Sequence, residues 1–203
     1  TVYLHNTSGA PVQAAVRFFD VDGAPLTVPG LNASSVTLNL GPRGTGVVEA
    51  PRLGPLTQGS IAVEAPAEVI GYGIFRQEQP NVNAQEGVVP LSSSTSTGAT
   101  IVYDDTATFV TSVAVLNPGS TPVTVTVVAR DETGAQTGTL TLNLNARERV
   151  AFEVRNRPEL AAVQGRRGVL EFNSTGGPVA VLGLRFNGFA LTSILPVEQQ
   201  AGP

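Results

Sequence analysis

The sequence contains no cysteine, methionine, tryptophan or lysine, and its only histidine is His5. Without cysteine there is no disulfide framework, no thiol nucleophile and no cysteine-based zinc site, so stability has to come from packed cores. Without cysteine or methionine there is no readily oxidised sulfur. That suits an exposed life outside the cell, and it is also what drift in a GC-rich genome produces, since such genomes favour arginine over lysine. All 12 basic residues are arginine, against 16 acidic ones, for a net charge of −4 and a pI near 5.0. A nucleic-acid partner needs a basic footprint that this chain lacks. No apolar run approaches the roughly 18–20 residues needed for a membrane-spanning helix. The chain starts with Thr1 rather than methionine, so the expectation is a processed or excised piece whose signal peptide lies elsewhere.

What is present points to strands. The 203 residues suffice for one large or two small domains. The 22 glycines and 15 prolines demand frequent turns. Charged residues make up only 14% of the chain, so much of the polar surface must be Thr, Ser, Asn and Gln. Val12–Asp20 alternates, with Val12, Ala14, Val16 and Phe18 facing one way. Asp20-Val-Asp-Gly23 closes a hairpin after it. Further strands are expected at Ser35–Leu40, Thr45–Ala50, Gly59–Glu64, Val69–Arg76 and Val88–Leu91, with a Pro-, Asn- and Gln-rich loop over Gln77–Gln85. Beyond Ser92–Gly98 the alternation resumes at Ala99–Tyr103, Phe109–Leu116 and Val123–Arg130. It continues at Thr137–Asn143, Arg149–Val154, Gly168–Phe172, Val179–Phe186 and Leu191–Val197. Pro158–Val163 reads as one helical turn with proline at its first position.

The two halves align. Asn6, Pro11, Asp20 and Gly23 recur as Asn117, Pro122, Asp131 and Gly134, and Leu38-Asn-Leu40 recurs as Leu142-Asn-Leu144. Gly73-Ile74 matches Gly183-Leu184, and Val89-Pro-Leu91 matches Leu195-Pro-Val197. Matches kept in order define an internal repeat of about 100 residues. Seven or eight short strands per repeat predict an all-β fold of two tandem antiparallel β-sandwiches. They are Ig-like in architecture only, because the Cys–Trp–Cys core of immunoglobulin domains is absent. The expected division is residues 1–91, a Ser/Thr-rich linker over 92–98, and residues 99–203.

The segments FVTSVAVLNPGSTPVTVTV (Phe109–Val127), LGLRFNGFALTSILPV (Leu182–Val197) and IFRQ (Ile74–Gln77) resemble tandem β-sandwich repeats of large secreted bacterial proteins. The resemblance runs over nearly the whole chain and implies an extracellular, non-catalytic scaffold or interaction role. It brings no active site and no cofactor with it. In such repeats a strand and turn precede the VAVLN-like strand. The second repeat has them in Ala99–Phe109, while the first has nothing ahead of Thr1. Either the chain was cut there, or a neighbouring subunit supplies the strand by β-addition. On the second view Val2, Leu4 and Asn6 line an open groove, and Thr100, Ile101, Val102 and Tyr103 form a donor segment. The partner is then a further subunit or a neighbouring domain of the same protein.

Residues with potential chemistry are few. His5 has no evident triad partner. The pairs Asp20/Asp22, Asp104/Asp105 and Asp131/Glu132 suit turns, where Asp favours the bend, better than a glycosidase pair or a calcium site, and no metal site is assigned. Arg147, Arg149, Arg155, Arg157, Arg166 and Arg167 interleave with Glu148, Glu153 and Glu159 as a mixed solvated face. Tyr3, Tyr72 and Tyr103 are the aromatic set for a sugar platform. Asn-x-Ser/Thr sequons fall at Asn6, Asn32 and Asn173. The expected function is a structural building block of a secreted or cell-surface protein or fibre, assembling by strand addition. The alternative is a carbohydrate- or polymer-binding module attached to a secreted enzyme.

Overall fold

Alternation becomes burial in a computed structural model of the chain, which describes residues 1–51, 53, 57–79, 82–91 and 96–198. The segment VTVTVVARD shows it best: Val123, Val125, Val127 and Ala129 are buried and the residues between them are half-buried. Only a pleated strand with one face on a core does this. Each fully buried Val, Leu or Phe contributes about 1.5–3 kcal/mol relative to exposure.

The first seven strands are β1 (Val2–Asn6), β2 (Val12–Phe19), β3 (Ser35–Leu40), β4 (Thr45–Val48), β5 (Ser60–Glu64), β6 (Val69–Gln79) and β7 (Val82–Pro90). The next five are β8 (Gly98–Asp104), β9 (Phe109–Leu116), β10 (Val123–Asp131), β11 (Gln136–Leu144) and β12 (Arg149–Glu153). Two 3₁₀ segments follow, Val154–Asn156 and Pro158–Val163. The last strands are β13 (Arg167–Thr175), β14 (Ala180–Asn187), β15 (Ala190–Ile194) and β16 (Val197–Glu198). They form four antiparallel sheets, ordered β4-β1-β6-β7, β3-β2-β5, β12-β9-β14-β15 and β11-β10-β13-β8-β16. The fold is all-β, as the composition predicts.

The chain divides into two compact units: Thr1–Phe75 with Val88–Ser92, and Arg76–Gly87 with Ser93–Pro203. The same pairings occur in each. β1 lies between β4 and β6, as β9 lies between β12 and β14. β2 lies between β3 and β5, as β10 lies between β11 and β13. The repeated residues carry repeated contacts. The Asn6 side-chain amide donates to the carbonyls of Ala10, Leu40 and Gly41, and the Asn117 amide to those of Thr121, Leu144 and Asn145. Both side chains are fully buried, where carbonyls facing no donor would be costly. Gly23 and Gly134 hold φ of 86° and 83° in the matched hairpins, a conformation glycine adopts without strain. A side chain at Gly59 would strike the carbonyl of Phe19, and one at Gly168 that of Arg130, the matching residue.

In the second unit the buried cluster draws on both sheets: Ile101, Val125 and Phe172 from one, Val113, Val115 and Val181 from the other. Leu160 and Val163 of the proline-led 3₁₀ segment, which has Pro158 at its start as expected, join the same cluster. The first unit's cluster centres on Val2, Leu4, Val16, Phe18 and Leu40.

Two local expectations change. The polar stretch Gln77–Gln85, expected as a loop, is mostly strand, because β6 runs to Gln79 and β7 starts at Val82. Arg76 is salt-bridged across the hairpin to Glu86, with Nε 2.7 Å from Oε1, so polar residues are held there by cross-strand pairing. The strand expected over Leu191–Val197 splits into β15 and β16 around Pro196, which has no N–H for a ladder. Of the linker expected over 92–98, residues 92–95 lie outside the described residues, and Gly98 already begins β8.

Candidate functional site

The densest set of ionisable groups lies at one end of the second unit, where β8 turns into β9. The Asp104 N–H donates to the Thr111 hydroxyl at 2.9 Å, and that hydroxyl donates to the Asp104 carbonyl at 3.0 Å. This closes the turn. The Asp104 Oδ1 accepts from the Thr106 N–H at 3.1 Å and the Thr106 hydroxyl at 2.7 Å. Its Oδ2 faces Arg167 Nε at 3.2 Å and Arg185 Nη1 at 3.7 Å. The Arg185 guanidinium lies 4.6 Å from the Phe109 ring centre. Burial pushes the Asp104 carboxyl up, but the Thr106 and Arg167 hydrogen bonds outweigh it, and the net shift is downward.

Its neighbour behaves in the opposite way. The Asp105 carboxylate is buried, with Arg155 Nη1 3.6 Å from Oδ2. Burial pushes its pKa up, and the Arg155 charge only partly offsets that. Tyr103 beside it is fully buried, and desolvation raises its phenol. Arg166 Nη1 reaches Asp131 Oδ2 at 3.4 Å. Arg166 and Arg167 are exposed, as expected of a mixed solvated face, and Arg155 Nε lies 4.0 Å from Glu153 Oε2; all three also face aspartates of other turns. Arg157 lies over the Phe152 ring at 4.5 Å. Here each carboxylate is matched to a guanidinium across a strand junction, an arrangement that ties strands together.

The hairpin carboxylates serve their turns. Asp20 Oδ1 accepts from the N–H groups of Asp22 and Ala24 at 3.0 and 2.8 Å. Asp131 Oδ1 accepts from the N–H groups of Thr133 and Ala135 at 3.0 and 3.2 Å. Among the described residues no group of three or more His, Cys, Asp or Glu could hold a metal ion. His5 is half-buried on β1, in register with Thr45 and Ile70. Its Nδ1 is buried and has no hydrogen-bond partner among the described residues. A shallow groove of about 340 Å³ is lined by Pro122, Val123, Thr124, Asn143, Leu144, Asn145, Thr175 and Gly176, with no ionisable side chain in its wall.

The tyrosines separate. Tyr3 and Tyr72 are cross-strand partners, stacked with ring centres 5.2 Å apart. Val47, also in register with Tyr3, is exposed beside them. Tyr103 is interior to the second unit and belongs to no such surface. Of the sequons, Asn6 is buried and bonded, whereas Asn32 and Asn173 are exposed.

The residues expected to form an open groove are interior. Val2, Leu4 and Asn6 are buried, and β1 has a partner along each edge, β4 and β6. Thr100, Ile101, Val102 and Tyr103 sit in β8, which pairs with β13 on one side and β16 on the other, so they are already built into their own unit. β8 flanks β13 in the sheet opposite β9. Its counterpart in the first unit would therefore lie beside β5, not beside β1. Sequence order alone concealed this. The signal was the match of inward-facing Ile61 and Val63 with Leu170 and Phe172.

No protein-family model, curated protein or solved structure matches the chain.

Proposed function

We propose that the chain is a non-catalytic structural building block of a bacterial extracellular protein or fibre. Two tandem Ig-like β-sandwiches make up the block, and it joins its neighbours by β-strand addition. The observation that carries this reading is the use made of the polar groups. Asn6, Asn117, Asp20, Asp131 and Asp104 all hold backbone turns, and the arginines face the carboxylates that close strand junctions. Repetition of the same bonds in both units suits a spacer that must keep its shape. Size-exclusion chromatography with light scattering and negative-stain microscopy test it: large species or filaments are expected, and a monomer persisting at high concentration overturns it.

One observation favours a second reading, a module that binds carbohydrate or another surface polymer. The stacked Tyr3–Tyr72 pair lies on an exposed sheet face with Val47 and Ile70, and aromatic faces are what sugars stack on. Retention on polysaccharide affinity gels, lost in Tyr72→Ala, supports that reading. Unretarded passage over a panel of such gels excludes it.

A further inference from the structure

We infer that residues 154–166 form a strap that opens and closes as one piece on the second unit, with Asp105 as its latch. The strap leaves β12 in one sheet and enters β13 in the other. Its own backbone bonds are short-range. The N–H groups of Arg157, Leu160, Gln164 and Arg166 donate to the carbonyls of Val154, Arg157, Ala161 and Val163. Such bonds keep a segment in shape without tying it to its surroundings. Among the described residues, the backbone bonds from the strap to the rest of the unit both run through Asp105. The Asp105 N–H donates to the Arg166 carbonyl at 2.9 Å, and the Asp105 carbonyl accepts from the Gly165 N–H at 3.1 Å. Its carboxylate reaches the other end of the strap, with Arg155 Nη1 3.6 Å from Oδ2. One residue of the β8–β9 turn thus holds both ends. β13, by contrast, is paired along its length with β10 and β8.

Packing shows what the strap covers and where it bends. Leu160 and Val163 are fully buried in the core of the unit. Beneath them β11 comes so close that a Cβ at Gly138 would strike the Glu159 carbonyl oxygen. Pro158 stiffens the start of the longer 3₁₀ segment. Gly165, with φ of 73° and open space where a side chain would be, supplies the hinge before β13. A segment with compact local structure and few bonds to its neighbours belongs to the part of a protein that opens most easily.

The latch responds to acid. The Arg155 guanidinium, the Glu153 carboxylate and the N–H groups of Gly165 and Thr111 face the Asp105 carboxylate. Tyr103, two residues back on β8, is held neutral by burial, and the Asp104 carboxylate turns away to Arg167 and Arg185. Burial outweighs the Arg155 charge, so Asp105 titrates above its ordinary value of 3.8. Opening the strap returns the carboxylate to water, and ionisation therefore favours the open form. The strap is held most firmly below 3.8 and loosens as pH rises through the folded value.

Amide hydrogen exchange on the full chain, corrected for the intrinsic effect of pH, tests this. The N–H groups of Leu160, Gln164, Gly165 and Arg166 read the strap, and those of Leu170 and Phe172 read the sheet. The strap amides are expected to share one protection factor, lower than that of the β13 pair, and it should fall as pH rises above 3.8. Asp105→Asn should flatten that fall. Gly138→Ala should wedge the strap off β11 and lower its protection about tenfold at every pH, with Leu170 and Phe172 changing less. The pH series of the unaltered chain keeps the test valid if either variant does not fold. Equal protection of strap and β13 amides would overturn the inference, because the segment would then open only with the whole unit. Strap amides that respond to Gly138→Ala one by one would do the same, as would a fall with pH that survives Asp105→Asn.

Discussion

Leu170 and Ile61 occupy the same place in two repeated sheets, yet one is sealed and the other nearly half exposed. Their strands have the same inner neighbour and the same close-packed glycine. What differs is the presence of β8. An edge strand is therefore stabilised as much by what lies beside it as by its own residues, and matched positions of a duplicated sequence can differ widely in exposure. The first unit also buries fewer apolar side chains among the described residues.

The largest test of this contrast is truncation at the matched position. Leu170→Ala should cost about 3–4 kcal/mol through lost burial and a cavity. Ile61→Ala should cost about 1 kcal/mol or less, because half of the side chain already meets water. Denaturant unfolding of both variants, with hydrogen exchange to assign the loss to a unit, measures the pair. Equal costs would break the comparison. Asn6→Ala and Asn117→Ala test what the units share: each strips a donor from buried carbonyls and should cost about 2–3 kcal/mol. Unequal losses would show that the two turns are not the same device.

The adjacent aspartates give a pH test that only the second unit can show. The folded-state pKa of Asp104 is lowered, so its contribution is present above the unfolded value of 3.8 and disappears as pH falls through the folded one. Asp104→Asn should therefore destabilise near neutrality and match the parent in acid. The folded-state pKa of Asp105 is raised, so stability is greatest below 3.8 and declines as pH rises through the folded value. Asp105→Asn should remove that decline and gain on the parent as pH rises. Stability curves of the two variants with the same slope would refute this assignment. The smallest effect is expected at Glu64, whose 2.8 Å pair with Arg17 is about half exposed on both sides. Glu64→Gln should cost about 0.5 kcal/mol, and less in high salt; a loss above 2 kcal/mol in chemical denaturation would mean that β5 is less exposed than it looks.

Much of this was legible in the sequence. Alternation located β10 and β2 because each has one buried face, and Pro158 marked the 3₁₀ turn. The repeat emerged from Asn6 and Asn117, whose buried bonds allow little else at those positions. What stayed hidden was non-local. β8 precedes β9 in the chain but pairs with β13, so chain order suggested the wrong neighbour and put the open side at Val2, Leu4 and Asn6. Periodicity reports which face of a strand is buried, not which strand lies beside it. The β6–β7 hairpin was missed for a related reason, since its residues near Arg76 and Glu86 are held by cross-strand charge rather than by an apolar pattern. At the charged end, Asp104 and Asp105 stand out in the sequence as a pair, but their opposite electrostatics depend on Arg167 and Arg155 from distant turns.

The tyrosines have a practical consequence. The chain has no tryptophan and three tyrosines, so apart from the weak, shorter-wavelength bands of its eight phenylalanines its near-ultraviolet signals come from those three rings. Tyr3 and Tyr72 are stacked in the first unit, and Tyr103 is sealed in the second. The pair should give a coupled near-ultraviolet dichroism band that vanishes when β1 and β6 part. The lone ring should give a separate band that reports packing around β8. Each unit thus carries its own optical reporter, and the two can be followed side by side without a label.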